Sequence, residues 1–335
     1  MGKVNIGLMG LGHWGREAYT PILKEHPAAR VVAVAARSEE TFAFAREQFG
    51  SEIAEHKQLG DLADDPSVEA VMIALPNRLH GAAVEAAVCA GKHVFVEPPL
   101  GFDAGEIGRV MEVASAADTI VQTDLELRYT PVLDFVAGKA ASGELGEALM
   151  VQVSLWCGWG YGGLQWREEA EDQGFFLWLG CWYVDVIDRV LGSAPVRAGV
   201  IGGRAMNGDL MDYGWATLEY PGGNLGQFQM SLVAPVEQET TVRITGTEGE
   251  LEADIWTGVC RWHRRGDQWR EVSIPCAEPI HGFAGMRESI ADFLECVRSG
   301  SRPRADLKVS RRVHEAAVAC MRSDQTGQMA DVEAL

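Results

Sequence analysis

Short apolar runs alternate with helical stretches over the first 123 residues, and this alternation limits the fold more than any other feature of the sequence. The apolar runs lie at 4–9, 31–35, 68–75, 93–96 and 120–123. Strands of a parallel sheet are buried on both faces, so they read as continuous apolar runs, and a crossover helix usually connects one to the next. The alternation therefore predicts βαβ units around a buried parallel sheet.

After Pro131 the apolar pattern changes to a period of two. In the clearest case Phe228, Met230 and Leu232 alternate with polar residues, as in a strand with one covered face. Further strands are predicted at 147–156, 213–220, 241–245, 250–256 and 259–264, and helices at 132–141, 283–298 and 306–322. We therefore predict an α/β domain over 1–123 and an α+β domain with a mostly antiparallel sheet over 124–335.

The charge balance restricts the partners of the chain. The sequence has 29 Lys and Arg against 48 Asp and Glu, a formal net charge of −19, which opposes binding to nucleic acids and anionic membranes. The seven cysteines are scattered without a C-x-x-C pair, and no cluster of His, Cys and carboxylates has metal-ligand spacing. Without a signal peptide pattern or a long apolar run, we expect a cytoplasmic protein with a small-molecule substrate, no metal, and no nucleic acid or membrane partner.

The first strand leads into Gly10-Leu11-Gly12-His13-Trp14-Gly15, a G-x-G-x-x-G pattern followed by a helix. Glycines are needed there because the backbone turns sharply and must let a pyrophosphate approach the amides at the helix N-terminus. A plain tight turn is the alternative. The position of the pattern after the first strand of a βαβ series favours a dinucleotide site.

The end of the second strand distinguishes between the two nicotinamide cofactors. A carboxylate at this place would accept a hydrogen bond from the ribose 2′-hydroxyl of NAD, whereas this chain has Arg37 and Ser38. Arg37 can pair with a 2′-phosphate, and Ser38 can donate a hydrogen bond to it. The alternative is a solvated arginine followed by a serine N-cap. We predict NADP as the cofactor, with NAD as the alternative.

Several longer motifs resemble the glucose-fructose oxidoreductase, inositol dehydrogenase and rhizopine-catabolism (Gfo/Idh/MocA) family. Besides the glycine pattern they are Ala74-Leu75-Pro76-Asn77 with His80, Ala90-Gly91-Lys92-His93-Val94 with Glu97, Arg128-Tyr129 with Pro131, Ser142-Gly143-Glu144-Leu145-Gly146-Glu147, and Trp166-Arg167. The resemblance implies an NADP-binding Rossmann domain and an open-faced sheet domain for substrate binding and dimerisation, with substrate in the cleft between them. It also implies hydride transfer between a nicotinamide and a sugar-like or cyclitol-like carbon, and a homodimer or higher homo-oligomer.

The cofactor-binding residues expected from the glycine pattern, the second strand and the family motifs form one set. They are Gly10, Gly12, His13, Trp14, Gly15, Arg37, Ser38, Leu75, Pro76, Asn77, His80, Glu97, Trp166 and Arg167.

The chain departs from the family at its catalytic positions. The family carries a lysine in a Glu-Lys-Pro motif, where this chain has Glu97-Pro98-Pro99. Alignment on Gly174, Gly180 and Asp185 places Trp178 and Trp182 where the family has an Asp and an acid/base His. We therefore expect an altered active site that lacks the usual proton donors.

Aromatic residues are concentrated near these altered positions, since five of the ten tryptophans fall between Trp156 and Trp182. Such a cluster can line a flat pocket or form ordinary core. On the first interpretation, substrate is bound by Trp156, Trp159, Trp178, Trp182 and Arg128. The candidates for proton transfer are Glu97, Tyr161, Tyr183 and Asp185, although each tyrosine can equally be a packing residue.

These observations favour an NADP(H)-dependent oxidoreductase that reduces an unsaturated, imine-like or cyclic small molecule, since such a hydride acceptor needs little general-acid help. Biliverdin reductases are similar at Glu97-Pro98-Pro99-Leu100 and also lack the lysine, but their propionate-binding arginines have no counterpart here. Two alternatives stay open. One is a cofactor-binding sensor or partner protein without turnover, and the other is a sugar or cyclitol dehydrogenase with a substitute acid/base.

Overall fold

The computed structural model describes residues 2–162, 176–177, 179–206, 208, 211–236, 238–276 and 284–335. Contacts within the chain divide it into two units. Unit 1 consists of the described residues within 1–125 and 279–311 together with Leu335, and unit 2 of those within 126–278 and 312–334. The sequence-based division into 1–123 and 124–335 stays a prediction.

Unit 1 contains a parallel sheet of six strands in its described part, five of which lie at the predicted apolar runs. The strands are β1 (Val4–Met9), β2 (Ala29–Ala35), β3 (Ala54–His56), β4 (Ala70–Ile73), β5 (His93–Val96) and β6 (Val121–Thr123). Their order is β3-β2-β1-β4-β5-β6. The order reverses between β1 and β4, and in open α/β sheets ligands bind at this reversal, beyond the carboxyl ends of the strands.

Helices connect the strands of both units. They are a π-helix (Gly15–Tyr19), α1 (Thr20–Glu25), α2 (Glu39–Phe49), α3 (Leu59–Ala63), α4 (His80–Cys89), α5 (Ala104–Ala116), α6 (Pro131–Ala141), α7 (Gly180–Leu191), α8 (Met286–Ser299) and α9 (Leu307–Thr326), with short 3₁₀ turns at Asn77–Leu79, Glu126–Tyr129, Trp159–Gly162 and Pro221–Gly223. None of the helices in the described ranges is long and apolar enough to cross a membrane.

The core of unit 1 includes a helix from near the end of the chain. The ring of Phe95 on β5 lies between Tyr19 and Phe293, with centroid distances of 5.8 and 5.4 Å. Phe293 belongs to α8, whose buried face joins the same cluster as β1 and α1. Because this apolar face is covered by the parallel sheet, α8 lies in unit 1, although sequence order alone places it after the second sheet.

Unit 2 contains a nine-stranded sheet among the described residues. Its strands are β7 (Ala148–Trp156), β8 (Arg197–Gly203), β9 (Tyr213–Glu219), β10 (Leu225–Ser231), β11 (Glu239–Gly246), β12 (Gly249–Asp254), β13 (Val259–Arg264), β14 (Arg270–Ser273) and β15 (Ala330–Asp331), in the order β14-β13-β12-β11-β7-β10-β9-β8-β15. The pair β7–β10 is parallel and the other pairs are antiparallel. The predicted fold class, a Rossmann-like domain with a mostly antiparallel sheet domain, is confirmed.

The two faces of the second sheet differ. Helix α7 covers one face, where the ring of Tyr183 stacks on Phe228 at a centroid distance of 4.3 Å. The other face carries a hydrogen bond of 2.9 Å between the side chains of Gln152 and Gln227, together with exposed apolar residues at Ile201 and Trp215. The predicted homo-oligomer stays a prediction.

Helix α7 also brings two buried carboxyl groups beneath this sheet. The Oδ1 atom of Asp188 accepts a hydrogen bond of 2.6 Å from the hydroxyl of Tyr220, and its Oδ2 atom has no hydrogen-bond partner in the described part of the chain. Burial raises the pKa of Asp188 to about 7, with a further contribution from the nearby charge of Asp185. A buried carboxylate with one unsatisfied oxygen costs free energy, so the folded state favours the protonated form.

We expect the Asp188→Asn variant to lose part of the pH dependence of stability. The folded protein binds this proton more tightly than the unfolded chain, so the stabilisation is complete below the unfolded pKa of about 4 and is lost as the pH rises towards about 7. The free energy of unfolding of the wild type should fall by about 2–3 kcal/mol more than that of the variant between about pH 5 and about pH 8. Guanidinium denaturation at both pH values measures this difference. Asp118→Asn, at an exposed position, is the control, and a parallel profile for Asp188→Asn and wild type would contradict the prediction.

Candidate cofactor and substrate sites

The glycine loop, residues 10–15, follows β1 and meets the segment after β4. Gly10 has φ of +93°, and a Cβ atom there would overlap the carbonyl oxygen of Ala74. A Cβ on Gly15 would lie 2.8 Å from the carbonyl oxygen of Gly10. Gly12 is exposed, and a Cβ there would meet no atom within 4 Å. Neighbouring backbone atoms therefore leave no room for a side chain at Gly10 or Gly15. Gly12 instead faces open space of the kind that a pyrophosphate needs.

His80 connects two of the segments that were predicted from the family motifs. It is buried, and its ring nitrogens Nδ1 and Nε2 lie 2.8 and 2.7 Å from the carbonyl oxygens of Pro99 and Leu75. Asn77 is buried beside Leu75, and Pro76 is exposed. These contacts hold the segments that follow β4 and β5, so the structure gives His80 a structural position at the carboxyl edge of the sheet.

Arg37 and Ser38 follow β2, the strand beside β1. Ser38 caps α2, since its hydroxyl oxygen accepts a hydrogen bond of 3.2 Å from the amide of Thr41. Arg37 is exposed and has no ion-pair partner among the residues that the structure describes. Its guanidinium is therefore available to a phosphate at the end of β2.

Glu97 follows β5 and points into unit 1. Its Oε1 atom accepts hydrogen bonds from Trp14 Nε1 at 2.7 Å and from the hydroxyl of Tyr19 at 2.6 Å. Burial raises the pKa of Glu97 to about 7, although its hydrogen bonds with Tyr19, Trp14 and Asp124 oppose this increase. Glu97 and Trp14, both predicted as cofactor residues, are thus joined to each other. His13 is exposed and lies 3.1 Å from the carboxylate of Glu17.

Three predicted residues of unit 2, together with Glu126, form two pairs that join α7 to the Glu126–Tyr129 turn. The indole N–H of Trp182 donates a hydrogen bond to the buried carboxylate of Glu126. Arg128 forms a bidentate ion pair with Asp185, in which the Nε–Oδ2 distance is 3.0 Å. Burial lowers the pKa of Arg128, but the charge and hydrogen bonds of Asp185 outweigh this effect and raise it. Arg128 and Asp185 therefore bind each other.

The two candidate tyrosines are both engaged by neighbouring groups. Tyr161 is 53% exposed, and its hydroxyl donates a hydrogen bond of 2.8 Å to the carbonyl of Val233. Tyr183 is buried, and its ring stacks on Phe228. Burial raises the pKa of Tyr183 well above its ordinary value. These positions favour packing roles for both residues.

The predicted aromatic pocket is only partly assembled in the described part of the chain. Trp156 is 40% exposed and lies on the open face of the sheet, because Leu155 beside it is buried on the other face. Trp182 belongs to α7, which covers that other face, so the sheet separates Trp156 from Trp182. Trp159 is half-buried in a 3₁₀ turn after β7. Trp166, Arg167 and Trp178 lie outside the described residues.

Tyr19 also lies at the cofactor end, although no motif in the sequence indicated it. Tyr19 is five residues after Trp14, which on an α-helix places the two side chains on different faces. The signal that could have found it is Pro21, because a proline within a helical pattern indicates an irregular turn just before it.

Gly10 and Gly12 should respond differently to substitution by alanine. Gly10→Ala should lower the free energy of unfolding by at least about 1–3 kcal/mol, because a positive φ and a backbone overlap both oppose the new side chain. Gly12→Ala should change stability by less than about 0.5 kcal/mol, since its Cβ meets no atom, but should weaken dinucleotide binding about tenfold or more. Thermal unfolding and calorimetric titration with NADPH measure the two effects. Equal cofactor affinity for Gly12→Ala and wild type would contradict the assignment.

Comparison with known proteins agrees with this architecture. A model of an oxidoreductase family with an NAD-binding Rossmann fold, Gfo/Idh/MocA, matches residues 4–125, and a model of the Gfo/Idh/MocA C-terminal domain matches 136–252. D-xylose 1-dehydrogenase (NADP(+)) 2 of Haloferax volcanii is 28% identical over 98% of this chain and 99% of its own length. Human trans-1,2-dihydrobenzene-1,2-diol dehydrogenase is 28% identical over 90% of this chain and 89% of its own.

Solved structures show the same fold. A levoglucosan dehydrogenase in complex with NADH and levoglucosan superposes with a TM-score of 0.87 at 20% identity, covering 98% of this chain and 99% of the other. The matches to the two family models confirm the resemblance inferred from the motifs. The chain belongs to the Gfo/Idh/MocA family and is an NAD(P)-dependent oxidoreductase.

Proposed function

We propose that this protein is an NADP(H)-dependent reductase of a small molecule that contains a C=N bond or a conjugated unsaturated system. The observation that carries the proposal is the chemistry at two positions where the family has proton donors. Pro98 has no proton to give, and the indole N–H of Trp182 is occupied by the carboxylate of Glu126. A substrate that develops an alkoxide would receive little help from these groups.

An imine-type acceptor avoids this difficulty. The nicotinamide cofactor supplies a hydride when bound. In a protonated imine the carbon accepts the hydride, and the electrons of the C=N bond move to nitrogen, which becomes a neutral amine without any proton transfer in that step. In this reaction the protein needs to bind and orient the substrate and to exclude water, but it does not need to donate a proton.

The positions of the other candidates for proton transfer also support a reaction in which the protein donates no proton. Tyr161 donates its hydroxyl proton to a backbone carbonyl, Tyr183 is buried under the sheet, and Asp185 is ion-paired with Arg128. Each of these side chains binds a partner within unit 2. We propose that they shape the substrate end and that Trp182 provides an aromatic surface for a flat substrate.

The NADP preference rests on Arg37 and Ser38. Arg37 is exposed after β2, without an ion-pair partner among the described residues, and Ser38 begins α2, where an anion is favoured by the helix N-terminus. The Haloferax volcanii relative is named as an NADP(+) enzyme, which favours the same assignment. No carboxylate follows β2 directly to accept from a ribose 2′-hydroxyl.

Arg37→Ala should weaken NADPH binding about 10- to 100-fold and leave NADH binding within about twofold, because a hydrogen bond to a charged group contributes about 1.5–3 kcal/mol. Calorimetric titration with both cofactors measures the ratio. Arg30→Ala is a matched control, since Arg30 is an exposed arginine at the amino end of the same strand. Tighter binding of NADH than NADPH by the wild type would overturn the NADP assignment.

A second candidate is the dehydrogenation of a sugar, cyclitol or dihydrodiol by a substitute acid/base. Its support is the similarity to D-xylose and dihydrodiol dehydrogenases over nearly the whole chain, and the pKa of Glu97 of about 7. The buried position of Glu97 and its two donors favour the first proposal, because a carboxylate that accepts from Trp14 and Tyr19 is directed into unit 1.

The two candidates differ in the substrates that consume cofactor. We expect NADPH absorbance to fall with cyclic imines at least about tenfold faster than with keto-sugars, because hydride addition to a keto-sugar develops an alkoxide that must be protonated, whereas a protonated imine becomes a neutral amine. The reverse assay offers NADP⁺ with D-xylose and with a trans-dihydrodiol. Faster turnover of these two would favour the second candidate, and tight NADPH binding with no turnover of any class would favour a sensor.

A double variant tests the explanation from the altered positions. Pro98→Lys combined with Trp182→His restores the residues that the family has there, and it should gain measurable keto-sugar reduction. Lys3→Arg with Trp269→His, at positions away from both motifs, is the control. No gain in the first double variant would show that these two positions are not the reason for the altered activity.

A further inference from the structure

Two aromatic side chains, one within the glycine loop and one just after it, converge on a single buried oxygen atom. Trp14 Nε1 and the hydroxyl of Tyr19 lie 2.7 and 2.6 Å from Oε1 of Glu97. Glu97 is 8% exposed and Tyr19 is fully buried. The two hydrogen bonds join the helix that follows β1 to the residue that follows β5.

A π turn explains how both side chains reach one atom. On an α-helix, residues five apart differ by about 140° in direction, so Trp14 and Tyr19 would not share a face. Residues Gly15–Tyr19 form a π-helix, in which the amide of Thr20 donates to the carbonyl of Gly15, five residues earlier. Pro21 follows directly, and a proline inside a helix supplies no amide and crowds the carbonyl four residues before it. The wider turn accommodates Pro21 and aligns the two donors.

The same turn contains the last glycine of the loop. Gly15 is buried against the carbonyl of Gly10, and the amide of Arg16 donates 2.9 Å to the carbonyl of Gly12. The direction of the first helical turn therefore decides where the amides of the glycine loop point. A contact that holds Trp14 and Tyr19 also holds these amides.

We propose that Glu97 is a positioning residue for the dinucleotide. Its buried carboxylate fixes the π turn through hydrogen bonds from Trp14 and Tyr19. The fixed turn orients the amides of the glycine loop towards the pyrophosphate. In this role Glu97 acts through the helix and does not touch the cofactor. The proposal concerns cofactor binding, so it holds whichever substrate the enzyme reduces.

The surroundings of Glu97 explain why an acceptor stands here and not an apolar residue. Glu97 is also hydrogen-bonded to Asp124, and Asp124 Oδ1 accepts 2.6 Å from the hydroxyl of Ser289. A buried carboxyl group adds little net stability compared with an apolar residue of similar volume, but its hydrogen bonds impose one geometry. A leucine at 97 could fill the space without directing Trp14 or Tyr19.

The test compares Glu97→Gln with Glu97→Leu. Glutamine keeps an acceptor oxygen for the two donors, and its amide can donate to Asp124, whereas leucine has no acceptor. We expect NADPH affinity within about threefold of wild type for Glu97→Gln and about tenfold weaker or more for Glu97→Leu, the equivalent of one hydrogen bond to a charged group. Calorimetric titration gives the affinities, and thermal unfolding confirms that each variant is folded.

Single removals of the donors keep the proposal testable if Glu97→Leu fails to fold. Trp14→Phe and Tyr19→Phe should each weaken NADPH binding, and Tyr19→Phe should have no further effect in the Glu97→Leu background if that variant folds. Tyr220→Phe is the matched control, because it removes the same kind of buried tyrosine–carboxyl hydrogen bond, with Asp188, away from the glycine loop. It should lower the unfolding temperature and leave NADPH affinity unchanged.

Wild-type NADPH affinity in Glu97→Leu, or in both donor variants, would overturn the proposal. So would loss of kcat in Glu97→Gln at unchanged NADPH affinity, since that result would make Glu97 a proton donor. Because the affinities are measured without substrate, a failure of the proposed reductase activity leaves this test unaffected.

Discussion

The cofactor end of unit 1 depends on the close approach of two backbone segments where the sheet order reverses. Gly10, after β1, lies against the carbonyl of Ala74, after β4, so closely that no side chain fits between them. This approach sends the chain directly from β1 into a helix, and the loop that results has its amides at a helix N-terminus. Gly12 then faces open space, while Gly15 closes the loop against Gly10. A single steric requirement thus creates an anion site from backbone atoms alone.

Buried polar groups organise the two units in different ways. In unit 1 the carboxylate of Glu97 accepts hydrogen bonds from the helix that carries the glycine loop, so its burial orients a binding element. In unit 2 the ion pair of Arg128 and Asp185 joins α7 to the turn that follows β6. Buried ion pairs are costly to break but need not increase net stability. In both units these groups fix geometry more than they add free energy.

The architecture could be predicted from the sequence because the burial of a strand determines its apolar pattern. A strand buried on both faces is continuously apolar, and a strand buried on one face alternates between apolar and polar residues. The glycine pattern was recognised because it needs a particular residue type at particular places, whereas the role of Arg37 stays a prediction. Strands such as β3 and β15 were missed, since they have three and two residues and carry no apolar run. Pairing with a neighbouring strand, which the local sequence does not encode, makes them strands.

The side-chain arrangement was harder to predict. Trp156 and Trp182 were grouped by proximity in sequence, but Trp156 is on the open face of the sheet and Trp182 is on the helix that covers the other face. Neighbouring residues of a strand point to opposite faces of the sheet, so a shift of one position moves a side chain to the other face. The amino-acid composition of a segment does not show which face a side chain takes. The partnership of Trp14 and Tyr19 was hidden in the same way, because it depends on a π turn where a regular helix is the default expectation.

The proposed function has a chemical basis in where side chains of unit 2 hold their protons. Trp182 directs its N–H to Glu126, Tyr161 directs its O–H to a carbonyl, and Tyr183 lies under the sheet. Under the proposed function, charge that develops on a substrate oxygen would receive little help from these three groups. A substrate that carries its own positive charge removes that requirement, since hydride transfer then neutralises a charge that is already present. An acidic protein with a formal net charge of −19 also favours the approach of a cation. Under the proposed function, the charge of the protein and the engaged protons of Trp182 and Tyr161 thus favour the same class of acceptor.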